Sequence, residues 1–354
     1  MDLHCPSCRG AVDGSPHAAA ATRASTPLAP DGTCTQCGHA WPSVPAWGRQ
    51  IHVVHRDERI AEHLRRTVAH LNNAALDQPD WLASLSQDDA TWAQSLWTWG
   101  PAHLGAYLDP PVPQPDLSWV RAFLDDLDDL PPGPVLLLGG ALGGEALALP
   151  EAWTATPGDG SKPVTTRTVV CLESHPWLLA GAAMATSTEP RLGVLRRPGA
   201  LERRPLRLPA DVQRRLARTH LVLGDAHDPP FGPNSFAVII ALNVVDSVRD
   251  PWTVMGQCEA MLKTDGALLV SSPWHFQPEI TADSLRLDRG LPLACDLPWL
   301  IAGRLTGAAL PGVLDGLALQ HLERDLPWRL QLHDRLAWDY RVDALLLRRV
   351  DTTN

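Results

Sequence analysis

Lysine is nearly absent from this chain, and long hydrophobic runs are missing. The only lysines are Lys162 and Lys263, although lysine and arginine together number 30, so arginine is the default cation. No apolar run reaches the roughly 18 residues that a membrane-spanning helix needs. The N-terminus also lacks the basic flank and apolar centre of a secretory signal. These features predict a soluble, cytoplasmic protein.

The composition is that of an acidic globular protein. Its 354 residues suffice for two or three domains, and 45% of them are hydrophobic against 20% charged. The formal net charge of -10 disfavours broad binding to nucleic acid, because neutralised phosphates supply most of that affinity. Residues 191–218 depart from this balance with nine arginines and two acids, and they keep nucleic acid open as a partner.

Four of the seven cysteines form two C-x-x-C pairs near the N-terminus. The pairs CPSC and CTQC are separated by 25 residues. Four thiolates with this spacing match a tetrahedral structural zinc site, whose closed shell leaves no position for a substrate. Disulfides and a redox pair are the alternatives. The predicted zinc ligands are Cys5, Cys8, Cys34 and Cys37.

The second cysteine pair resembles part of a known zinc module. The segment CTQCGHAWPSVPAWG is similar to the second knuckle of the small zinc ribbons of the Trm-type methyltransferase activator. The resemblance implies a zinc ribbon over residues 1–47. Such ribbons are often fused to methyltransferases, and this one is a candidate site for a protein partner.

The rest of the chain divides into a helical part and an alternating part. Within residues 48–112, Ile60, Leu64, Val68 and Leu71 recur at helical spacing, which predicts a helical linker segment. Short apolar runs then alternate with helical stretches, and runs that are apolar throughout are typical of strands buried on both faces of a parallel sheet. The sequence therefore predicts a doubly wound α/β domain. Its predicted strands are residues 135–138, 166–173, 219–225, 236–243 and 266–274.

Two segments interrupt this alternation. The stretch LGVLRRPGALERRPLRLP has two alternating runs around Pro198-Gly199, which predicts a β-hairpin insert over residues 191–209. Its arginines are either a solvated face or an anion-facing flap over the active site. The Pro- and Leu-rich residues 275–324 follow the fifth strand and predict a cap.

Polar and glycine residues stand at the predicted carboxyl ends of the strands, where doubly wound sheets bind ligands. Glycines after the first strand let the backbone approach a ligand, and the acid after the second can accept both ribose hydroxyls. The residues after the third strand can contact an adenine. The asparagine side chain after the fourth strand faces the reacting end of the cofactor. The predicted cofactor-binding residues are Gly139, Gly140, Ala141, Gly143, Glu173, Ser174, Asp225, Ala226 and Asn243.

Five ordered blocks of the sequence resemble the class I S-adenosylmethionine-dependent methyltransferases. They are LLLGGALGGEALAL, VVCLESHPWLLAGA, LVLGDAHDPPFGPNSFAVIIALNVV, DSVRDPWTVMGQCEAMLKTDGALLVSSPW and LPWRLQLHDRLAWDYRVDALLLRR. The resemblance implies S-adenosylmethionine as cofactor and a seven-stranded, mostly parallel Rossmann-like sheet in a methyltransferase domain over residues 113–354. Two positions depart from the family. Leu137 replaces an acidic residue, and Ala141 replaces the middle glycine of G-x-G-x-G.

Finer features favour a small-molecule acceptor. The alanine in the glycine loop, the hairpin and the segment SSPWHFQPEIT are similar to the mercaptohistidine methyltransferases of the ovothiol type. That resemblance implies an imidazole or amino-acid-like acceptor. The NPPY motif of nucleic-acid adenine methyltransferases is absent after the fourth strand, where the chain reads ALNVVDSV. We therefore expect methyl transfer to a nitrogen or oxygen of a small molecule.

Three residues form the predicted catalytic set. The acceptor is expected over Asn243 and Asp246, beneath the cap. His275 is the candidate general base, since imidazole titrates near neutral pH, and a surface or packing role is its alternative.

Two other functions stay open at this point. An RNA or protein methyltransferase would use the zinc ribbon for recognition. A non-catalytic binding or scaffold protein would keep the fold with a degenerate cofactor site, which Leu137 and Ala141 favour.

Overall fold

The structure is a computed structural model of the chain. It describes residues 3–9, 26–72, 85–127, 129–154, 166–197, 200–291, 297–306, 314 and 316–351. The strands are β1 Ser43–Ala46, β2 Arg49–Val53, β3 Val135–Leu138, β4 Val169–Glu173, β5 Arg191–Arg197, β6 Ala200–Pro205, β7 His220–Leu223, β8 Phe236–Leu242, β9 Leu262–Ser272, β10 Leu317–His333 and β11 Leu336–Arg349. The helices are α1 Arg59–Asn72, α2 Gln87–Leu104, α3 Ser118–Asp125, α4 Glu151–Thr154, α5 Pro176–Ala185, α6 Ala210–Ala217, α7 Pro251–Met261 and α8 Leu297–Thr306.

One large sheet organises the molecule. Its order is β1-β2-β7-β4-β3-β8-β9-β11-β10. The strands from β2 to β9 in this order are parallel to one another. At one edge β11 pairs antiparallel with β9, and β10 pairs antiparallel with β11. The central strands are apolar and buried along their whole length, as β3 and β8 illustrate. The predicted Rossmann-like α/β fold is therefore confirmed.

The predicted number of seven strands is wrong, because the sheet has nine. The two additional strands, β1 and β2, form a hairpin, and β2 pairs in parallel with β7. Trp47 and Gly48 connect them with positive φ angles of 48° and 76°, the conformation that a two-residue hairpin turn requires. The expected boundary between residues 47 and 48 thus falls inside this turn.

The segment expected to be a helical linker packs on the sheet domain. It begins with β2 rather than a helix, and its helices α1 and α2 share one hydrophobic core with α5. Ser86 caps α2, since its Oγ accepts a hydrogen bond from the Asp89 amide at 3.1 Å. Leu96 and Leu104 of α2 are fully buried. This segment is therefore part of the molecule's core.

The two inserts differ in how closely they follow the sequence prediction. Strands β5 and β6 form a separate two-stranded antiparallel sheet, and Pro198-Gly199 lie outside the described residues. The cap predicted over residues 275–324 ends earlier, because β10 begins at Leu317. Within it, α8 buries Ile301 and Leu305 in the core beneath the sheet. Among the described residues, no helix is both long and apolar enough to cross a membrane.

Candidate functional site

The fold gathers the predicted site residues along one edge of the sheet. Glu173 ends β4, the glycine loop follows β3, Asp225 follows β7, and Asn243 follows β8. These four strands are parallel neighbours, so their carboxyl ends lie on the same side. The strand assignments made from the sequence therefore bring these residues to a common edge.

Glu173 organises the loops around it through backbone hydrogen bonds. Its Oε2 accepts from the Ala141 amide at 3.0 Å, and its Oε1 accepts from the amides of Ser174 and His175 at 2.8 and 3.0 Å. Burial raises the pKa of the Glu173 carboxyl, and these hydrogen bonds oppose that rise. The Ser174 hydroxyl also lies 3.5 Å from Oε1. Each carboxylate oxygen offers about two acceptor positions, so one position remains on Oε2, which accepts only from the Ala141 amide.

Asp225 is held by histidine and arginine. The Asp225 carboxylate lies 2.7 Å from His227 Nδ1 and 3.7 Å from Arg249. Burial acts to raise the pKa of Asp225, but the His227 hydrogen bonds outweigh it and lower the pKa to about 2. The other ring nitrogen of His227 accepts from the Asp250 amide at 3.1 Å. His227 therefore joins the end of β7 to the start of α7, and Ala226 packs partly buried against the core beside it.

Asn243 has a strained backbone and an unsatisfied side chain. Its φ is 55°, a left-handed conformation that asparagine adopts more readily than most residues. Its Oδ1 lies 3.4 Å from Ser271 Oγ, whereas its Nδ2 is buried without a hydrogen-bond partner among the described residues. Buried donors without a partner are uncommon, and at strand ends of this fold a bound ligand is the natural acceptor.

Asp246 is a buried carboxylate next to Asn243. Ser272 Oγ donates to Asp246 Oδ1 at 2.9 Å, and the Trp274 amide donates to that same hydroxyl at 2.9 Å. Burial raises the pKa of Asp246, against the hydrogen bond from Ser272. No lysine or arginine pairs with this carboxylate in the part of the chain that the structure describes.

A cavity of about 910 Å³ joins the three predicted catalytic residues. Asn243, Asp246 and His275 all contribute to its wall. The remaining wall comes from α2, from the loop after β8, from the segment that follows β9 into the start of the cap, and from the β10–β11 hairpin. Its other lining residues are Trp99, Ser247, Pro273, Gln277, Pro278, Glu279, Leu330, Ala337, Trp338, Asp339 and Tyr340.

The sequence missed part of this wall. Trp99 had no signal beyond a helical stripe of aromatic residues, which usually means core packing. The long β10–β11 hairpin supplies a second wall, in place of the greater part of the predicted cap. Two aromatic residues next to His275 do not line the cavity: Trp274 and Phe276 are buried in the core.

The positions that depart from the family have structural explanations. Leu137 is fully buried in the core, and a Cβ placed on Gly140 would lie only 2.8 Å from the Leu137 Cβ. Ala141 adopts a φ of 42° and directs its amide to Glu173. A different carboxylate, Glu145, follows the loop and pairs with His103 of α2 at 3.3 Å. This buried pair was not predicted, because its partners are 42 positions apart in sequence.

The four N-terminal cysteines converge. Their Sγ atoms all lie within 4.8 Å of one another, with 3.8 Å between Cys5 and Cys37 and 3.5 Å between Cys8 and Cys34. Disulfide sulfurs would be separated by about 2.05 Å, whereas thiolates around one tetrahedral zinc lie slightly under 4 Å apart. The cluster is therefore compatible with the predicted zinc site.

The comparisons with known proteins agree with the fold. Residues 201–270 match the family model of a methyltransferase domain. No protein in the search of curated sequences matches this chain. The matched residues span β7, β8, α7 and β9, so they include Asp225, Asn243 and Asp246 but neither the glycine loop nor Glu173.

Three solved structures that are similar to this chain are distant from it in sequence. The CurJ carbon methyltransferase is 14% identical at a TM-score of 0.41, with 83% of this chain and 65% of that chain covered. A chain from the complex of the Haloferax volcanii Trm112 methyltransferase activator with a methyltransferase is 12% identical at 0.39, covering 75% and 97%. A protein from Methanococcus maripaludis, assigned as an S-adenosyl-L-methionine-dependent methyltransferase, is 14% identical at 0.37, covering 67% and 86%. The family match confirms the predicted enzyme class and identifies a methyltransferase domain in this chain, which implies S-adenosylmethionine as the cofactor.

Proposed function

We propose that this chain transfers a methyl group from S-adenosylmethionine to a nitrogen or oxygen of a small molecule. The observation that carries the proposal is the cavity of about 910 Å³ shared by Asn243, Asp246 and His275. Its volume falls in the range of small-molecule sites. An imidazole or amino-acid-like acceptor, as in the ovothiol-type resemblance, falls within this proposal.

The residues along the sheet edge fit the cofactor. Glu173 retains one acceptor position for a ribose hydroxyl, and Asn243 Nδ2 is a buried donor without a partner. The loop residue Gly143 has a φ of 75°, and a Cβ placed on it would have the Thr219 methyl at 4.0 Å as its one close neighbour among the described residues. When bound, S-adenosylmethionine supplies an electrophilic methyl group. We assign its ribose to Glu173 and its adenine to the Asp225-Ala226 edge, with Ser174 and the loop amides of residues 139–143 completing the site.

The cavity residues have separate roles toward the acceptor. His275 is exposed on the cavity wall and takes the proton that the acceptor atom loses. Asn243 and the buried Asp246 orient the acceptor. Orientation accounts for most of the rate gain in an in-line displacement, because the protein itself forms no covalent bond. Trp99 and Tyr340 exclude water from the reacting atoms.

The cysteine cluster supports this site from outside. We propose that Cys5, Cys8, Cys34 and Cys37 hold one structural zinc ion as a ribbon, with a surface for a protein partner. The ribbon is tied to the domain, since the His4 amide donates to the Pro230 carbonyl at 2.9 Å. The proposal sets the reaction in the cytoplasm, where such thiols stay reduced.

A transfer assay separates the acceptor classes. Protein and methyl-labelled S-adenosylmethionine are incubated with a cell extract divided into metabolites below about 1 kDa, RNA and protein. We expect label in the metabolite fraction. His275→Gln is expected to lower this turnover by about 10²–10⁴-fold, the usual contribution of a general base. His321→Gln, which changes an exposed histidine outside the cavity, serves as control. Label confined to RNA or protein would refute a small-molecule acceptor.

A further inference from the structure

The cavity has a one-sided charge. Its lining includes the carboxylates of Asp246, Glu279 and Asp339, yet no lysine or arginine belongs to the described lining. The lack of basic residues in the described lining is selective, because the whole chain has 30 lysines and arginines, nearly all of them arginine. The negative charge therefore concentrates where the acceptor of the proposed function binds.

Two of these carboxylates lack a counter-ion in the described chain. Asp339 is neutralised by Arg329, whose Nη1 lies 2.9 Å from both of its oxygens. Asp246 is buried and Glu279 is exposed, and neither forms an ion pair with another described residue. The Asp246 carboxylate accepts hydrogen bonds from the Ser272 hydroxyl and from its own backbone amide, and His275 is the charged neighbour that favours its ionised form. None of these is a permanent cation, so a cationic ligand would offset the desolvation that penalises the charge of this buried carboxylate.

Aromatic side chains accompany the carboxylates. Trp99, Trp338 and Tyr340 line the same cavity, and they come from two separate parts of the fold, α2 and β11. Aromatic faces attract cations through the ring quadrupole, and quaternary ammonium groups are commonly recognised by such rings together with an acidic residue. The Asn243 Nδ2, which has no partner among the described residues, carries two N–H groups, so beside a contact with the cofactor it can donate one hydrogen bond to a carbonyl or other neutral acceptor atom on this ligand.

We propose that the cavity selects methyl acceptors that carry a positive charge, such as ammonium or imidazolium compounds with a nearby hydrogen-bond acceptor. The inference rests on the proposed function only in taking the bound cation to be the methyl acceptor. The selectivity for cations itself depends only on the cavity wall. Asp246 supplies the buried charge, the three aromatic residues surround the cation, and Asn243 fixes the polar end.

The test uses two probes of the same shape and different charge. Acetylcholine is a cation with an ester carbonyl, and 3,3-dimethylbutyl acetate is its uncharged carbon isostere. Calorimetric titration of the full, zinc-loaded chain is expected to give affinity for acetylcholine at least about tenfold higher than for the isostere, since the two differ in cation–π and charge attraction. Equal affinities, tighter binding of the isostere, or no binding of either probe would overturn the inference.

Variants assign the selectivity to the named residues. Asp246→Asn keeps the size of the side chain and is expected to reduce the tenfold preference to less than about threefold while leaving isostere binding unchanged. Glu58→Gln removes an exposed carboxylate outside the cavity and is expected to change neither affinity. S-adenosylhomocysteine is titrated in parallel. Its failure to bind would count against the proposed function alone, because the two acetate probes report on the cavity whether or not the cofactor binds.

Discussion

Glu173 is the residue on which the proposed cofactor site depends. It accepts amide hydrogen bonds from Ala141, Ser174 and His175, so one side chain fixes both the glycine loop and the start of α5. Removing the carboxylate leaves three amides without their acceptor and removes the proposed ribose contact. Its effect on binding should therefore exceed that of a single lost hydrogen bond.

We expect Glu173→Ala to weaken S-adenosylhomocysteine binding more than about tenfold, or roughly 1.4 kcal/mol. Competition against a fluorescent analogue of the cofactor measures this change. Glu151→Ala is the matched control, because the Glu151 side chain is 79% exposed and is not one of the proposed cofactor-binding residues. Unchanged affinity in Glu173→Ala would show that the ribose binds elsewhere.

The pKa values of two buried histidines are expected to shift in opposite directions. Burial lowers the pKa of His175 to about 3, with His63 adding to the effect. Burial also acts to lower the pKa of His103, but the Glu145 carboxylate outweighs it, so that pKa is raised above its ordinary value of 6.5. The stability from neutral His175 is thus present above pH 6.5 and is lost as the pH falls toward about 3.

The charge on His103 has the opposite consequence. Its contribution to stability is fully present below pH 6.5 and is lost as the pH rises through its raised pKa. NMR of histidine-labelled protein measures both pKa values, and the variants His175→Gln and His103→Gln assign the two resonances. The expectation is a His175 ring that stays neutral at pH 5 and a His103 ring that stays protonated above pH 6.5. A His175 titration midpoint near 6.5 would be inconsistent with its burial.

At the scale of elements, the sequence predicted what local patterns encode. Apolar runs located the strands that became β3, β4, β7, β8 and β9, and cysteine spacing located a cluster whose sulfurs do converge. The elements that it missed depend on distant partners. The segment of β2 is only five residues long and becomes a strand because it pairs with β7, some 170 positions away.

The cavity wall illustrates the same limit. Asn243, Asp246 and His275 could be found because each follows a predicted strand. Trp99 could not, since the helical spacing of α2 shows which residues share a face but not what that face meets. The pair of His103 and Glu145 was hidden for this reason too. Local pattern thus locates residues on elements, and tertiary packing decides which elements meet.

The cysteine cluster yields a prediction for the N-terminal element. Cys34→Ser removes one of four zinc ligands, and Cys34 also packs in a small core with Trp41 and Val54. We expect metal analysis to give about one zinc per wild-type chain and less than half of that in the variant, with a lower melting temperature. S-adenosylhomocysteine affinity should change less than about twofold, because a closed structural site makes no contact with substrate.

A second cysteine provides the control for this experiment. Cys258 is buried in the core beneath the sheet, well away from the cluster in sequence. Cys258→Ser should lower stability while retaining the full zinc content. Zinc-free wild-type protein with an unaltered melting temperature would rule out a structural metal.

At the scale of the whole molecule, the N-terminal segment and the methyltransferase domain act as one body. Strand β2 extends the sheet, α1 and α2 complete a core with α5, and Trp99 of α2 reaches the acceptor cavity. Residues before the proposed methyltransferase domain therefore contribute to the wall of the proposed acceptor cavity, while the strand ends form the proposed cofactor side. The net charge of -10 agrees with a cavity that draws cations rather than phosphates.

The strand-end edge of this sheet is proposed to bind S-adenosylmethionine despite Leu137 and Ala141. Isothermal titration of the full, zinc-loaded chain with S-adenosylmethionine and with S-adenosylhomocysteine tests it most directly. The account predicts saturable binding of each at one site per chain, with micromolar affinity, or about −8 kcal/mol. Well-folded, zinc-loaded protein that binds neither compound would contradict it and would leave a scaffold that has kept the fold without the cofactor.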